Sequence, residues 1–422
     1  MDGCHCLAQG QSRASDTLAA VHPLKTRQLN KERDMKTNPD SLWKSFASPM
    51  RQGLHFLLVT LLLMVASQSF ASTIEVTDAL GRQVKVRFPV ERVVVNFNYE
   101  EFTAVAGKDA WSKVVGISRT PWEGWRPAIF KRYAAVIPNL QAMPDIGHSD
   151  DGTFSAEKII ALKPDVVFMA EWTYKALETA RAQLDSAGIP VVVIDYNAQL
   201  LERHLASTRA MGKVMGTDAR AEELAQLYER QYRDVMARVA SAKAKAPANV
   251  APRKIYIELG KGGPDTVGNS YSGTMWGKII ALLGAANLAD GKLAGPWGPV
   301  SAEAVLAERP DLVFIAGSSW VNAPLAVKTG YDATPEMTRS SLTPYLKRAG
   351  WQTLPAVQAH QVHAIEHGLC RTLYDFVAMQ YIGKQLYPEA FRDVDPVASF
   401  RQYHEKYLPV AYSGTWMLGV SP

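Results

Sequence analysis

The sequence predicts an α/β protein of two lobes, each with a parallel-rich sheet flanked by helices, joined by one long α-helix. A helix–strand unit occurs twice, in residues 155–172 (SAEKIIALKPDVVFMAEW) and 301–320 (SAEAVLAERPDLVFIAGSSW). The copies start 146 residues apart (155 and 301), which is too far for a solenoid repeat and indicates two lobes of similar build. Between them, residues 219–243 are long, amphipathic and heavily charged, as is typical of a connecting helix.

Each copy of the unit begins with a serine N-cap and a glutamate in the first helical turn. These residues are Ser155, Glu157, Ser301 and Glu303. A carboxylate at this position favours the helix dipole, so a structural role alone is one explanation for both glutamates. Pro164 and Pro310 then end the helices, and the apolar runs 166–170 and 312–316 predict buried parallel strands.

The first 71 residues differ from the rest of the chain. A basic start at Arg51, an apolar run over 54–66 and small residues before Ala71/Ser72 predict a signal peptide cleaved near that bond. The run is shorter than the roughly 20 residues that span a bilayer, although a retained anchor is the alternative. Residues 1–49 show no periodicity, and Met35 and Met50 are alternative starts.

Charge and cysteine content narrow the class of protein. Removal of residues 1–71 takes 8 of 46 Lys and Arg residues and 5 of 41 Asp and Glu residues, which leaves a net charge of +2. This balance gives no reason to expect nucleic-acid binding. Cys4 and Cys6 leave with the leader, so Cys370 has no partner for an internal disulfide. We therefore expect a soluble periplasmic protein.

The remaining chain divides into residues 72–215, a linking helix within 216–250, and residues 251–422. The elements predicted for the first lobe are a hairpin over 73–89, strands at 93–95, 114–117, 166–170 and 191–196, and helices at 100–106 and 175–187, followed by helical residues from 199 that stop at Gly216. The elements predicted for the second lobe are strands at 254–258, 312–316 and 362–365, a loop over 260–273, and helices at 276–283, 371–386 and 396–407.

Together these features resemble the periplasmic substrate-binding proteins of ABC importers for iron-siderophores, haem and cobalamin. The opening VTDALGRQVKVRFPVERVVV (76–95), the paired units with Lys/Arg-Pro-Asp and the long linking helix carry the resemblance. It implies a rigid linking helix, a ligand held between the lobes, and one surface glutamate per lobe that docks on arginines of the membrane permease. Those glutamates match Glu157 and Glu303. The helix starts are then expected to face the permease, and the strand ends to face the ligand.

Ligand-binding residues are expected at the carboxyl ends of the parallel strands. Aromatic side chains pack flat on macrocycles or catechol rings, and arginine pairs with acidic chelates. For any single aromatic residue, core packing is the alternative. The candidates are Tyr99, Arg119, Trp122, Trp125, Arg126, Trp172, Tyr196, Tyr271, Trp276, Trp320, His367 and Arg371.

His367 and Tyr271 are also candidates for direct metal contact. Imidazole and phenolate oxygen can complete the coordination of Fe(III), and histidine alone can ligate haem iron, although a hydrogen-bonding role is the alternative. His148, near Asp150, is a further metal candidate. The sequence lacks HExxH, CxxC, Walker, Rossmann and GxSxG motifs, so it predicts no dedicated zinc site and no enzyme.

We therefore expect a monomeric solute-binding protein without an intrinsic cofactor, which delivers a small-molecule metal chelate to a permease with a separate ATPase. A ferric siderophore is the first expected ligand, haem or a corrinoid the second, and a free oxyanion or a nickel or cobalt chelate the third. The alternative from another class is a periplasmic metal-dependent enzyme or chelatase on the same fold. That alternative requires titratable residues such as Asp150, Glu366 and His367 around a catalytic metal.

Overall fold

The structure is a computed structural model that describes residues 72–247 and 249–421. The predicted leader and its cleavage site lie outside the described residues, apart from Ser72. Among the helices of the described chain, none is both long and apolar enough to cross a membrane.

The first lobe alternates between strands and helices. In chain order its elements are β1 (Ser72–Thr77), β2 (Gln83–Phe88), β3 (Val93–Val95), α1 (Tyr99–Ala106), β4 (Val114–Ile117), α2 (Pro127–Ala134), α3 (Ala156–Leu162), β5 (Val166–Ala170), α4 (Glu171–Ala176), α5 (Glu178–Ser186), β6 (Val191–Ile194) and α6 (Leu201–Met215). β1 and β2 form an antiparallel hairpin, and the other strands form a parallel sheet of order β4-β3-β5-β6. β3 and β5 are buried throughout, as expected for a parallel sheet covered on both faces.

The second lobe follows the linking helix α7 (Asp218–Lys245). Its elements are β7 (Lys254–Leu259), β8 (Asn269–Tyr271), α8 (Met275–Leu282), β9 (Ala286–Asn287), β10 (Trp297–Pro299), α9 (Ala302–Glu308), β11 (Leu312–Gly317), α10 (Pro335–Leu342), α11 (Pro355–Gln358), β12 (Val362–Glu366), α12 (Phe376–Leu386), α13 (Pro396–Tyr407) and β13 (Met417–Gly419). The sheet has the order β13-β12-β11-β7-β9, in which β13 is the antiparallel edge strand. The predicted fold class is confirmed.

The linking helix α7 has 28 residues, and its interior contains neither glycine nor proline. At 1.5 Å per residue it is about 42 Å long. It packs on α6 from the first lobe and on α12 from the second, and the side chains of Leu224, Tyr228 and Val235 are buried. Gly216 ends α6 in the left-handed conformation, at φ 70°, which is the stop that the sequence predicts before the linker.

The two copies of the repeated unit have the same local structure. Ser155 Oγ accepts a hydrogen bond from the Lys158 N–H at 3.1 Å, and Ser301 Oγ accepts one from the Ala304 N–H at 3.1 Å, so both predicted N-caps are confirmed. Each helix ends in a left-handed residue directly before the predicted proline. These residues are Lys163 and Arg309.

The aspartate after each proline has a role that the pattern did not predict. Asp165 Oδ2 accepts a hydrogen bond from the Arg92 N–H at 2.9 Å, and Asp311 Oδ2 accepts one from the Lys254 N–H at 2.7 Å. Each carboxylate therefore ties the start of one central strand, β5 or β11, to the start of its neighbour, β3 or β7. The shared Pro-Asp step thus ends a helix and also sets the register of the sheet.

Three predicted elements differ from the structure. The helix predicted over 371–386 begins only at Phe376, because the Glu366 carboxylate accepts the Gly368 N–H at 2.6 Å and holds His367–Cys370 in a 3-10 turn. The predicted loop 260–273 contains β8, which pairs with the distant strand β10. The helix predicted over 175–187 is divided into α4 and α5, because Leu177 leaves the helical conformation.

Candidate functional site

Side chains from both lobes meet at the carboxyl ends of the parallel strands. Backbone and side-chain hydrogen bonds join the lobes there: Thr274 Oγ1 donates to the Asn197 carbonyl oxygen at 2.7 Å, and Gln199 Nε2 donates to the Cys370 carbonyl oxygen at 2.6 Å. We call this region the cleft. Three groups of side chains occupy it: an ionic group, an aromatic group that includes one arginine, and a histidine group.

The ionic group consists of Glu100, Arg126, Glu366 and Tyr374. Arg126 Nη1 donates to Glu100 Oε2 at 2.5 Å, and the Tyr374 hydroxyl donates to Glu100 Oε1 at 2.7 Å. A Cβ at Gly368 would lie 2.8 Å from Arg126 Nη2, so this guanidinium group from the first lobe rests directly against the second-lobe backbone, and a larger residue at 368 would displace it. The glutamates are almost fully buried, at 2% and 1% exposure.

Charge balance in the ionic group keeps Arg126 cationic. Burial lowers its pKa, but the carboxylates of Glu100 and Glu366 raise the pKa more, and the net shift is upward. Burial also raises the pKa of Glu366. The Nε and Nη2 groups of Arg126 have no hydrogen-bond acceptor within the part of the chain that the structure describes. Arg126 therefore keeps donors available on the side away from Glu100.

The aromatic group forms a closed ring of contacts between Phe97, Trp125, His148, Trp172 and Arg371. The Trp172 ring centroid lies 5.6 Å from that of Phe97 and 5.3 Å from that of His148. The His148 and Trp125 rings are 5.0 Å apart. The Arg371 guanidinium carbon lies 5.5 Å from the Phe97 ring and 5.8 Å from the Trp125 ring, which closes the ring of contacts across the lobes.

The histidine group lies in the second lobe and contains His367, Tyr271, Trp276 and Trp320. Trp276 Nε1 donates to His367 Nδ1 at 3.2 Å, and the Tyr271 and Trp320 rings lie 5.7 and 6.2 Å from the imidazole. Burial lowers the pKa of His367, as do the two cleft arginines, so the ring is neutral with its proton on Nε2.

Metal contact by His367 and Tyr271 stays a prediction. Burial raises the pKa of the Tyr271 phenol, which works against a phenolate ligand. Within residues 72–247 and 249–421, no group of three or more His, Cys, Asp or Glu residues is arranged to hold a metal ion. The Glu366 carboxylate, which a catalytic metal site would need, already accepts hydrogen bonds from Ser318 and Gly368.

The other four predicted ligand-binding residues lie outside these groups. Trp122 stacks on Tyr99 at 4.3 Å in the first-lobe core, where both are buried. Tyr196 is also buried, and its hydroxyl shares a hydrogen bond with Thr208. Arg119 donates to Glu123 at 2.7 Å. A ligand-binding role for these residues stays a prediction, and their contacts support structural roles instead.

The structure also adds residues that the sequence reasoning did not select. Phe97 lies two residues beyond the end of β3, so its position near a strand end was a usable signal. Tyr374 lies in a segment predicted to be helical, and nothing in the sequence indicates its contact with Glu100. His148 was expected only as a metal candidate, yet it packs between Trp125 and Trp172.

Glu157 and Glu303 are exposed in the first turns of α3 and α9. Hydrogen bonding to the helix-start backbone and to Ser155 lowers the pKa of Glu157, so this carboxylate is charged at neutral pH. The Ser155 N–H donates to the Ile146 carbonyl, and the Ile146 N–H donates to that of Ile117, the last residue of β4.

The start of α3 therefore lies at the carboxyl edge of the first-lobe sheet, the same edge that carries the cleft. The expectation that helix starts and strand ends face different ways is wrong for this lobe. The physical reason is that a helix returning between parallel strands runs antiparallel to them and begins where the strands end.

Glu101, next to the ionic group, predicts a pH dependence of stability. It accepts hydrogen bonds from the Leu373 N–H and from Asn98 Nδ2, and burial together with the neighbouring Glu100 raises its pKa from 4.5 to about 7. Between pH 4.5 and 7 the Glu101 carboxyl group is therefore still protonated in the folded protein but ionised in the unfolded chain. Stability contributed by this group is therefore lost as pH rises through that window.

We expect the ionisation of Glu101 to lower the unfolding free energy of wild-type residues 72–422 by about 3 kcal/mol between pH 4.5 and 8. The Glu101→Gln variant cannot ionise and should show a flatter pH profile in urea unfolding. Glu91→Gln, at an exposed carboxylate, is the control and should follow the wild type. An unchanged profile for Glu101→Gln would contradict the assignment.

Comparison with known proteins agrees with this architecture. Residues 94–367 match the family model for periplasmic binding proteins. The crystal structure of the TroA-like periplasmic binding protein FepB from Veillonella parvula is 35% identical to this chain, with a TM-score of 0.76, and the match covers 82% of this chain and all of FepB.

Two curated relatives also match. The molybdate-binding protein MolA of Haemophilus influenzae is 25% identical over 380 residues, which cover 85% of this chain and 97% of MolA. The vitamin B12-binding protein of Pectobacterium atrosepticum is 31% identical over 163 residues, which cover 39% of this chain and 54% of that protein. Together with the family match and the two-lobed fold, these results show that the chain belongs to the periplasmic binding protein family and is a substrate-binding protein of the ABC-importer type with a helical linker.

Proposed function

We propose that this binding protein captures an anionic metal complex between its lobes, with a ferric siderophore as the first candidate, and delivers it to the permease of an ABC importer. The observation that carries the proposal is the pair of cleft arginines. Arg126 and Arg371 approach from different lobes, and the Nε and Nη2 groups of Arg126 and the Nε group of Arg371 are buried without an acceptor among the described residues.

Buried N–H groups require acceptors, because an unsatisfied donor costs about 1–3 kcal/mol. Arg126 is fixed by Glu100 on one side, which orients its remaining donors. Arg371 forms no salt bridge with any residue in the described ranges. A guanidinium fork suits the paired oxygens of carboxylates and catecholates. The two arginines therefore favour a ligand with several anionic oxygens.

The aromatic residues of the cleft favour an organic chelate over a bare metal ion. Phe97 and Trp125 lie against Arg371, Trp172 contacts Phe97, and Trp320 from the second lobe contacts His367. Rings of this kind pack against the flat organic part of a catecholate or macrocyclic ligand. A bare cation would gain little from them and would be repelled by the arginines.

A free oxyanion is the second candidate. This chain aligns with the molybdate-binding protein MolA over 97% of that protein, whereas it aligns with only about half of the vitamin B12-binding relative. Molybdate offers the anionic oxygens that the arginines favour, although it makes less use of the aromatic surfaces.

Delivery to the permease is proposed to use Glu157 and Glu303. Both are exposed helix-start carboxylates in equivalent units of the two lobes, and Glu157 lies at the edge of the sheet that carries the cleft. Exposed charges add little to stability, but they can orient a partner of opposite charge.

Tryptophan fluorescence of purified residues 72–422 tests the choice of ligand, because Trp125, Trp172 and Trp320 line the cleft. The titrants are a ferric tris-catecholate siderophore, ferric citrate, haem, cyanocobalamin and molybdate. We expect saturable quenching by a ferric siderophore at micromolar or lower concentration, with molybdate as the next ligand. Saturable binding of cyanocobalamin alone, or of none of the five, would contradict the proposal.

A further inference from the structure

We infer that His148, Trp172 and Arg371 form an oxyanion subsite within the cleft, in which His148 Nε2–H, Trp172 Nε1–H and Arg371 Nε–H receive anionic oxygens of the ligand. The inference rests on the proposed capture of an anionic ligand. It adds a neutral histidine and a tryptophan as ligand-binding donors and specifies the chemistry of the group that they hold.

The hydrogen bonding of His148 determines which ring nitrogen carries the proton. The Asp150 N–H donates to His148 Nδ1 at 3.2 Å, so Nδ1 is an acceptor and the proton is on Nε2. The side chain is fully buried, and Nε2 has no hydrogen-bond partner anywhere in residues 72–247 or 249–421. Burial lowers the pKa of His148 and outweighs the carboxylates of Asp150 and Asp151. His148 is therefore a neutral donor.

The loop around His148 holds this donor in place. The His148 N–H donates to Thr153 Oγ1 at 3.0 Å, and the Thr153 N–H donates back to the His148 carbonyl oxygen at 3.1 Å. Gly147 has φ 74°, and a Cβ there would lie 1.9 Å from the Thr153 carbonyl oxygen. Only glycine permits this closed loop, so the orientation of His148 is built into the backbone.

Two of the three donors belong to side chains in direct contact, and the third is linked to them through shared aromatic neighbours. His148 and Trp172 have ring centroids 5.3 Å apart, and Arg371 joins the same closed ring of contacts through Phe97 and Trp125. Like His148 Nε2, Trp172 Nε1 and Arg371 Nε have no acceptor in the described part of the chain. Three unsatisfied buried N–H groups on neighbouring side chains indicate a site for acceptor atoms, because each group costs free energy while unpaired.

The donor set excludes a cation and favours oxygen atoms that bear negative charge. All three groups donate, and one of them is positively charged. The nearby Asp151 carboxylate is occupied by Thr120 and Thr153, at 2.8 and 2.6 Å. His148 uses Nδ1 for the loop and carries its proton on Nε2, so it lacks a free lone pair for a metal. The ligand group is therefore a free tetrahedral oxyanion or the anionic oxygens of an acidic chelate.

Two substitutions remove single donors and keep the packing. His148→Phe keeps a ring between Trp125 and Trp172, and Trp172→Phe keeps an aromatic contact with Phe97. Trp111→Phe is the control, because Trp111 is also a buried tryptophan of the first-lobe core, but its Nε1 donates to Thr103 Oγ1 at 2.9 Å and it is not a ligand-binding candidate. The probes are molybdate, as a free oxyanion, and ferric citrate, as an acidic chelate, measured by isothermal titration calorimetry on residues 72–422.

We expect wild type to bind at least one of the two probes. Each of the two cleft variants should weaken that binding about tenfold or more, whereas Trp111→Phe should change it by less than about threefold. Binding of molybdate alone identifies a free oxyanion as the occupant, and binding of ferric citrate alone identifies an acidic chelate. A second readout does not depend on whether the variants fold. Long-range ¹H–¹⁵N spectra of the wild type should show the His148 proton on Nε2, and that signal should shift when the probe binds.

Equal affinity of wild type and both variants would overturn the subsite, as would a His148 proton on Nδ1. So would a wild type that binds neither probe. If wild type binds neither probe but binds the ferric tris-catecholate siderophore, the subsite fails and the proposed function still stands. Failure of the subsite can thus be told apart from failure of the proposed function. If His148→Phe does not fold, Trp172→Phe and the spectra decide the question.

Discussion

Replacement of Arg371 by methionine is expected to weaken ferric siderophore binding about 100-fold without destabilising the fold. This guanidinium group contributes charge and hydrogen-bond donors to the cleft, and its loss should cost about 2.8 kcal/mol of binding free energy, since each tenfold change corresponds to 1.4 kcal/mol. Arg371 has no salt-bridge partner in the described chain, and burial lowers its pKa, so its removal leaves no carboxylate unpaired.

The stability of the Arg371→Met variant separates a binding role from a structural one. We expect an unfolding midpoint equal to or above that of the wild type, because an unpaired charge is removed from a partly buried position. Arg126→Met is the informative contrast: it should lose both binding and about 3–5 kcal/mol of stability, because it leaves the buried Glu100 carboxylate without its partner. Arg209→Met, at an exposed arginine of α6 paired with Glu222 of α7, is the binding control.

Fluorescence titration and urea unfolding of the same preparations measure these effects. A change in affinity of less than about threefold for Arg371→Met would show that the ligand does not contact this arginine. A large loss of stability would show instead that Arg371 joins the lobes structurally.

Charge reversal at both Glu157 and Glu303 is expected to abolish uptake of the iron chelate and to leave ligand affinity unchanged. The two glutamates are exposed and lie outside the three cleft groups, so Glu157→Lys/Glu303→Lys should fold and bind normally. Under the proposed docking, each reversal would turn attraction to a cationic permease surface into repulsion, and like charges at an interface cost several kcal/mol. Uptake of ⁵⁵Fe-labelled siderophore by cells that express each variant measures the effect.

The chain supplies a closely matched control for the docking experiment. Glu178 and Glu336 are also exposed carboxylates in first helical turns, one in each lobe. Glu178→Lys/Glu336→Lys therefore repeats the change in net charge and the loss of a favourable dipole contact, which is worth about 0.3–1 kcal/mol per site. Uptake that falls equally in both double variants, or in neither, would refute specific docking by Glu157 and Glu303.

Local patterns were sufficient to predict the fold. Ser155 and Ser301 form the predicted N-caps, and the apolar runs after Pro164 and Pro310 form central strands. Caps, helix stops and buried runs depend on residues that are neighbours in sequence, so they can be recognised without knowledge of the contacts. One failure was an element set by a distant partner, because β8 forms where β10 pairs with it, and two arose from local breaks before α12 and at Leu177.

The candidate site was predictable only in part, because position at a strand end does not determine where a side chain points. Trp122 and Arg126 lie four residues apart after β4, yet Trp122 is buried in the first-lobe core and Arg126 reaches the second lobe. Tyr374 and Glu100 are 274 residues apart and form one hydrogen bond. No local pattern encodes such a pair.

The sequence by itself determined two similar α/β lobes, the long helix between them and a first-turn glutamate at equivalent positions in each lobe. These features follow from periodicity, capping and repetition along the chain. Only the tertiary structure decided which arginines keep free donors and which nitrogen of His148 carries its proton. These properties depend on burial and on hydrogen bonds between distant segments, which arise when the lobes pack together.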